Sequence, residues 1–273
     1  MDNEAHRVSA DNPTTSAYLK AIGVPELPAR TSPFDPGYDP VTLEAHIAQS
    51  AHLISILKIS MATWIVADEA ASRRKFDAAR QAGVKTTTGG GPFEVAVAQG
   101  QLPAYLELVA SMGSDRIECG RGFTPMEESP ADILRLASEY GLEVQYELGS
   151  KHGGGFDERT VAALVDEGKR WLDAGAVQLV LEARESAADV GLFDREGSLQ
   201  TVLADRFAAE FGHELVTFEA PTKASQFALL SHFGPEVQLC NVRLEELLRV
   251  EIYRRGLHSD AFQHANLRPG QQS

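Results

Sequence analysis

One rhythm restricts the fold of this chain more than any other feature. Short apolar runs alternate with amphipathic stretches seven times, at a spacing of roughly 30–35 residues. LISILKIS precedes a helix expected over 68–82, VKTTTGG one over 92–111, and DRIECG one over 130–140. LEVQYELG then leads to 157–174, VQLVLEA to 198–211, ELVTFEAP to 223–232, and VQLCNV to 243–255. Several helices close on Ala-Gly or Tyr-Gly before the next apolar run (QAGVK, EYGLE, DAGAV), as expected where the residue after a helix turns left-handed. Strands joined through helices in this way lie parallel, because each helix carries the chain back to the starting edge of the sheet.

Seven clear units make a (β/α)8 TIM-type barrel more economical than an open doubly wound sheet. The eighth unit must come first, ahead of the helix in VTLEAHIAQSAHL. FDPGYDP precedes that helix, and its two prolines predict a short, irregular first strand around Phe34–Val41. Residues 1–37 are rich in Pro, Asp, Ser and Thr and read as an extended N-terminal arm without a core of its own. The barrel is expected over 38–263, followed by a polar tail over 264–273.

Composition bounds the partners. A net charge of −14 argues against non-specific binding to nucleic acid or an anionic membrane, though a local basic cluster can still take a small anionic substrate. No apolar run is long enough to span a bilayer, and the N-terminus lacks a signal-peptide core. With only Cys119 and Cys240 present, no disulfide framework is indicated, and a cytoplasmic setting is expected.

The ends of the apolar runs carry the functional signal. They read ILKIS (Lys58), VKTTTGGG, DRIECGRG (Glu118, Arg121), VQYELGSKHG (Glu147, Lys151), VQLVLEARES (Glu182, Arg184, Glu185), VTFEAPTK (Glu219, Lys223) and VQLCNV (Asn241). One glutamate there reads as a solvated strand end. Four successive ones, each with a basic residue close behind, converge on one mouth of a barrel, the face on which barrel enzymes place their active groups. Carboxylates are hard oxygen ligands suited to Mg²⁺, and the Lys and Arg residues complement an anion. Gly89-Gly90-Gly91 reads either as a flexible turn or as a backbone N–H cradle for an anion at a helix N-terminus. His152 reads as a loop residue or as an acid–base group.

From about Leu57 to Phe262 the chain resembles the phosphosulfolactate synthase family. The resemblance is carried by GGGPFE, YELGSKHG, LEARES, FEAPTKASQ, FGPEVQLCNV and YRRGLHSDAF, in the family's order and spacing. It implies a (β/α)8 barrel, Mg²⁺ dependence, a homo-oligomer, and addition of sulfite to phosphoenolpyruvate. Together with the strand-end pattern it gives an expected distribution of roles. Lys151, Arg184 and Glu185 form the expected catalytic set, with Lys151 as proton donor. Lys58, Gly89, Gly90, Arg121, Lys223 and Asn241 are expected to bind substrate, and Glu118, Glu147, Glu182 and Glu219 to face the metal.

The chain departs from the family pattern at three places. No Asp-Lys-Gly segment stands before Val41; Ser60-Met61-Ala62-Thr63-Trp64 replaces Gly-Trp-Gly-Thr-Ser; and Gly120-Arg121-Gly122 replaces Ser-Asp-Gly. These changes keep two alternatives open: a related barrel enzyme using another enol phosphate-like anion or nucleophile, as in secondary metabolism, and a non-catalytic stress-associated homologue.

Overall fold

The computed structural model describes residues 14–262 and 264–267. Among them, eight parallel strands close into a barrel in chain order, each paired with its sequence neighbours and the last with the first. The strands are β1 (Thr31–Asp35), β2 (Leu57–Ile59), β3 (Thr86–Thr88), β4 (Arg116–Cys119), β5 (Glu143–Leu148), β6 (Gln178–Leu181), β7 (Val216–Glu219) and β8 (Gln238–Arg243). This is the (β/α)8 barrel that the strand–helix rhythm predicts.

The first strand lies earlier than its prolines suggested. β1 is Thr31–Asp35, upstream of most of 34–41, so the barrel wall begins inside the segment expected to be an arm. Its pairing with β8 shifts register between Ser32 and Pro33, where proline has no N–H to give to the ladder. The strand ends on a carboxylate after all. Asp35 is fully buried, accepts from the backbone N–H of Gly37 and Tyr38, and takes Lys75 Nζ at 2.8 Å. Ahead of β1 stands a short helix, Thr15–Ala21, with no buried side chain; residues 1–13 of the expected arm lie outside the described residues. At the other end Leu267 is packed into the core, so the described part of the tail is anchored.

The outer faces of the strands make the core. Val144, Tyr146 and Leu148 of β5 alternate with Gln145 and Glu147, the period of two that separates the two sides of a strand. The apolar set packs beneath the helices, and Tyr146 stacks on Trp171 with ring centroids 3.9 Å apart. The helix expected over 92–111 is two helices, Gly90–Ala98 and Leu102–Met112, broken at Gly100, whose φ is +63°.

Inside the barrel, polar side chains replace the branched apolar layers usual for this fold. Arg116 Nη1 donates to Gln145 Oε1 and Gln178 Oε1, both at 3.2 Å, and Gln178 Nε2 donates to Gln238 Oε1 at 3.0 Å. Gln145 Nε2 then donates to Glu118 Oε2 at 2.8 Å, linking this lower layer to the mouth. Each of these groups is partnered, the condition on which a polar interior is tolerated.

Candidate functional site at the barrel mouth

The four strand-ending glutamates are all buried at the C-terminal ends of β4 to β7. Two lysines organise them. Lys58, in the middle of β2, places Nζ 2.8 Å from Glu118 Oε2, 2.9 Å from Glu118 Oε1 and 2.9 Å from Asn241 Oδ1. Lys151, on the loop after β5, reaches back over its own strand end. Its Nζ donates to Glu147 Oε1 at 3.1 Å and to Glu182 Oε2 at 3.0 Å.

Backbone N–H groups complete the cluster. Gly90, at the start of helix Gly90–Ala98, donates to Glu118 Oε1 at 3.1 Å. Of the glycines read as an anion cradle, then, one already holds an anion supplied by the protein itself. After β6 the chain turns with Arg184 at φ +53°, and Ala183 and Arg184 N–H both donate to Glu219 Oε2, at 2.7 and 3.1 Å. Arg184 N also donates to Glu182 Oε1 at 2.6 Å. Successive N–H groups converging on one oxygen form an anion-binding concavity, and left-handed backbone at a non-glycine residue is the strain that makes it. Asn241, at φ +52°, donates Nδ2 to Glu219 Oε1 in a short hydrogen bond. Gly149 permits the approach of β5 and β6 here: its φ is +129°, and a Cβ would stand 2.8 Å from Glu182 Cβ.

Four carboxylates share this space with two ammonium groups, and the charge imbalance appears in their acidities. Burial, reinforced by Glu182, pushes the Glu147 carboxyl up to about 8. Burial, with Glu182 and Glu147 alongside, pushes Glu219 well above the usual carboxylate range. Burial also opposes the charge on Glu182, but Lys151 and hydrogen bonds from Glu147 and Glu219 outweigh it and hold this carboxyl below its ordinary value. Both lysines are raised: burial disfavours their charge, and the surrounding glutamates more than restore it. At neutral pH the cluster therefore contains a charged carboxylate, an ammonium group and protonated carboxyls within hydrogen-bond reach of one another.

The remaining sequence candidates divide. Arg184 is exposed at the mouth, where its Nη1 donates to the Lys151 carbonyl at 3.0 Å. Glu185 is exposed on the same loop and lies outside the cluster's network of hydrogen bonds. Arg121 points away from the barrel axis, pairing its Nη2 with Glu167 Oε2 at 2.6 Å on helix Glu158–Ala174. Lys223 lies over the Phe227 ring at 5.0 Å and 3.7 Å from Asp260, on exposed helix surface. His152 is exposed. Sequence reasoning missed Glu94, a buried carboxylate on helix Gly90–Ala98 whose backbone partners lie in the loop after β4. Its signal was a lone acid within the apolar run PFEVAVA.

Among the described residues, no set of three or more His, Cys, Asp or Glu side chains stands in ligating geometry. Lys151 Nζ instead occupies the space between Glu147 and Glu182. Mg²⁺ needs only one or two carboxylates beside water and substrate oxygens, and a mouth with four carboxylates against two lysines suits that demand. A cleft of about 680 Å³ lies elsewhere, on the outer wall between helices Pro40–Ser50 and Glu69–Gln81, where the Arg74–Glu44 ion pair lines it.

Fold and site together define a parallel (β/α)8 barrel with a buried carboxylate–lysine cluster at the catalytic face. Residues 25–260 match the model of the (2R)-phospho-3-sulfolactate synthase (ComA) family, and the chain belongs to that family. It is 30% identical over 229 residues to the phosphosulfolactate synthase of Methanocaldococcus jannaschii, covering 84% of this chain and 91% of that one. To the phosphosulfolactate synthase of Methanothermobacter thermautotrophicus it is 27% identical, covering 90% and 95%. Among solved structures, deoxyribose phosphate aldolase from Aeropyrum pernix superposes with a TM-score of 0.52 at 16% identity, covering 89% of this chain and 99% of that one, a likeness of fold alone. No described helix is long and apolar enough to cross a membrane.

Proposed function

We propose that this enzyme of the ComA family adds sulfite to phosphoenolpyruvate, with the mouth cluster supplying the proton. The observation that carries this reading is Lys151 Nζ held between Glu147 and Glu182 at 3.1 and 3.0 Å, at the catalytic face of a barrel of this family. Sulfite brings its own lone pair, so no side chain need be activated as a nucleophile. Its sulfur bonds to the methylene carbon, and the double-bond electrons move toward the carboxylate. The carbon bearing the phosphate is then protonated, which balances the addition.

Lys151 is the group to give that proton. Glu147, still protonated near neutral pH and 3.1 Å away, can return one to it. Exposed Arg184 meets the anionic substrate at the rim. Lys58, pinned by Glu118 and Asn241, places fixed positive charge below the substrate, where it stabilises the developing enolate. A bound Mg²⁺, held by one or two of Glu147, Glu182 and Glu219, would supply further charge stabilisation for that carboxylate. Arg121 and Lys223, turned away from the cluster, have no part in this scheme.

The test is incubation of the purified protein with phosphoenolpyruvate, sulfite and Mg²⁺, followed by mass spectrometry. The expected product has the mass of phosphoenolpyruvate plus sulfurous acid. Its absence at high enzyme concentration would overturn the assignment in favour of a different anionic substrate.

A further inference from the structure

The glutamate of the GGGPFE stretch stands outside the strand-end cluster, yet it is 1% exposed. Glu94 Oε2 accepts three hydrogen bonds, from Phe123 N and Thr124 N at 2.9 Å and from Thr124 Oγ1 at 3.2 Å. These bonds tie the loop leaving β4 to a helix of the barrel wall. The same loop then meets the proposed proton donor. Gly122 O accepts from Lys151 N at 3.1 Å and from Ser150 Oγ at 3.4 Å.

The side chains meet there as well. A Cβ on Gly122 would stand 3.0 Å from Lys151 Cγ and 3.1 Å from Lys151 Cε, so the lysine stem lies directly against this α-carbon. The same Cβ would stand 3.3 Å from Glu94 Oε1. That oxygen is buried with no hydrogen-bond partner, a costly arrangement for a carboxylate that served only as a loop anchor. Glu94, the loop and the Lys151 stem therefore converge at one α-carbon.

We propose that Glu94 is a positioning residue for Lys151: it fixes the 120–124 loop, and the loop fixes where the Lys151 ammonium stands between Glu147 and Glu182. The catalytic meaning of this role rests on the reading of Lys151 as proton donor. The geometry does not depend on that reading, so the two can be tested apart. The glycine at 122 belongs to the device, since any larger residue would press on the lysine stem.

The test is trace acetylation of the full chain with acetic anhydride at mildly alkaline pH, with lysine labelling read by peptide mass spectrometry. In Glu94→Ala the loop loses all three bonds to its anchor, and Lys151 should label at least about tenfold faster, the population change that even one charge-assisted hydrogen bond gives. Lys58, deep in the barrel, should label as in the wild type. Glu94→Gln keeps an oxygen able to accept the same three bonds, and should return Lys151 to within about twofold of wild type. If Glu94→Ala does not fold, Glu94→Asp carries the test, because its shorter side chain withdraws the carboxylate from Phe123 N and Thr124 N without emptying the site. Unchanged Lys151 labelling in the folded variant, or a rise shared equally by Lys58, would overturn the positioning role. So would Glu94→Gln behaving like Glu94→Ala. A wild-type protein inert toward phosphoenolpyruvate and sulfite would count against the proposed reaction and leave the labelling result standing.

Discussion

Replacing Glu147 by glutamine should make the protein increasingly more stable than wild type as the pH rises. The glutamate is 4% exposed, and its carboxyl is raised by burial and by Glu182 from 4.5 to about 8. In the unfolded chain it loses its proton near the ordinary value, whereas in the folded protein it keeps it until about 8. Between those values unfolding releases a proton, so stability is fully present below the unfolded value and is lost as pH rises toward the folded one. Each pH unit in that window costs about 1.4 kcal/mol. The whole window sets a ceiling near 5 kcal/mol, and proton sharing with Glu182 and Glu219 lowers it to the order of 2–4 kcal/mol. The substituted glutamine cannot ionise, and its amide oxygen can still accept from Lys151 Nζ. Urea unfolding without Mg²⁺ should therefore give nearly equal stabilities for wild type and Glu147→Gln at about pH 4.5, with the variant ahead by that margin at about pH 8.5. An equal difference at both pH values would refute the picture of a proton-sharing carboxylate cluster.

Lys58→Met should destabilise the protein by about 3–5 kcal/mol in urea unfolding at neutral pH, because it strands the buried Glu118 carboxylate. Arg121→Ala should cost about 1–3 kcal/mol, because buried Glu167 keeps only the Tyr146 hydroxyl as partner, yet leave kcat and KM within about twofold, since the pair lies outside the cluster. On the proposed binding of Mg²⁺ by the mouth glutamates, added Mg²⁺ should raise the melting temperature more at about pH 8 than at about pH 5.5, because Glu147 and Glu219 must first lose their protons. Lys151→Met should lower stability measurably, against the expectation for a solvated loop residue, because two buried carboxylates lose their shared partner.

The architecture was legible because it is periodic. Seven apolar runs with glycine-closed helices specify parallel strands, and strand ends in a closed barrel converge by geometry. β1 was displaced in the reading because Pro33 sits inside it, tolerated at a register shift that no local propensity reveals. Two strand-end signals survive folding as ion-paired groups, Lys58 with Glu118 and Lys151 with Glu147 and Glu182. Arg121 and Lys223 stand outside the buried cluster because position near a strand end does not fix where a long side chain points; they pair with Glu167 and Asp260 instead. Glu94 was hidden because it lies on a helix, where the strand-end rule does not look. The polar barrel interior went unread; its signal is the repeated Val-Gln at 144–145, 177–178 and 237–238, whose glutamines meet one another or Arg116 inside the barrel.

The proposed chemistry requires the Lys151 cluster to protonate the adduct of sulfite and phosphoenolpyruvate. The most direct measurement follows phosphoenolpyruvate carrying ¹³C at its methylene carbon by NMR, with sulfite and Mg²⁺, over wild-type and Lys151→Met protein. The vinyl carbon signal should give way to that of a saturated carbon bonded to sulfur in the wild type, and turnover should fall by roughly 10²–10⁴ in the variant, the range for a positioned acid. No saturated product over wild-type protein, or equal rates over both proteins, would contradict it.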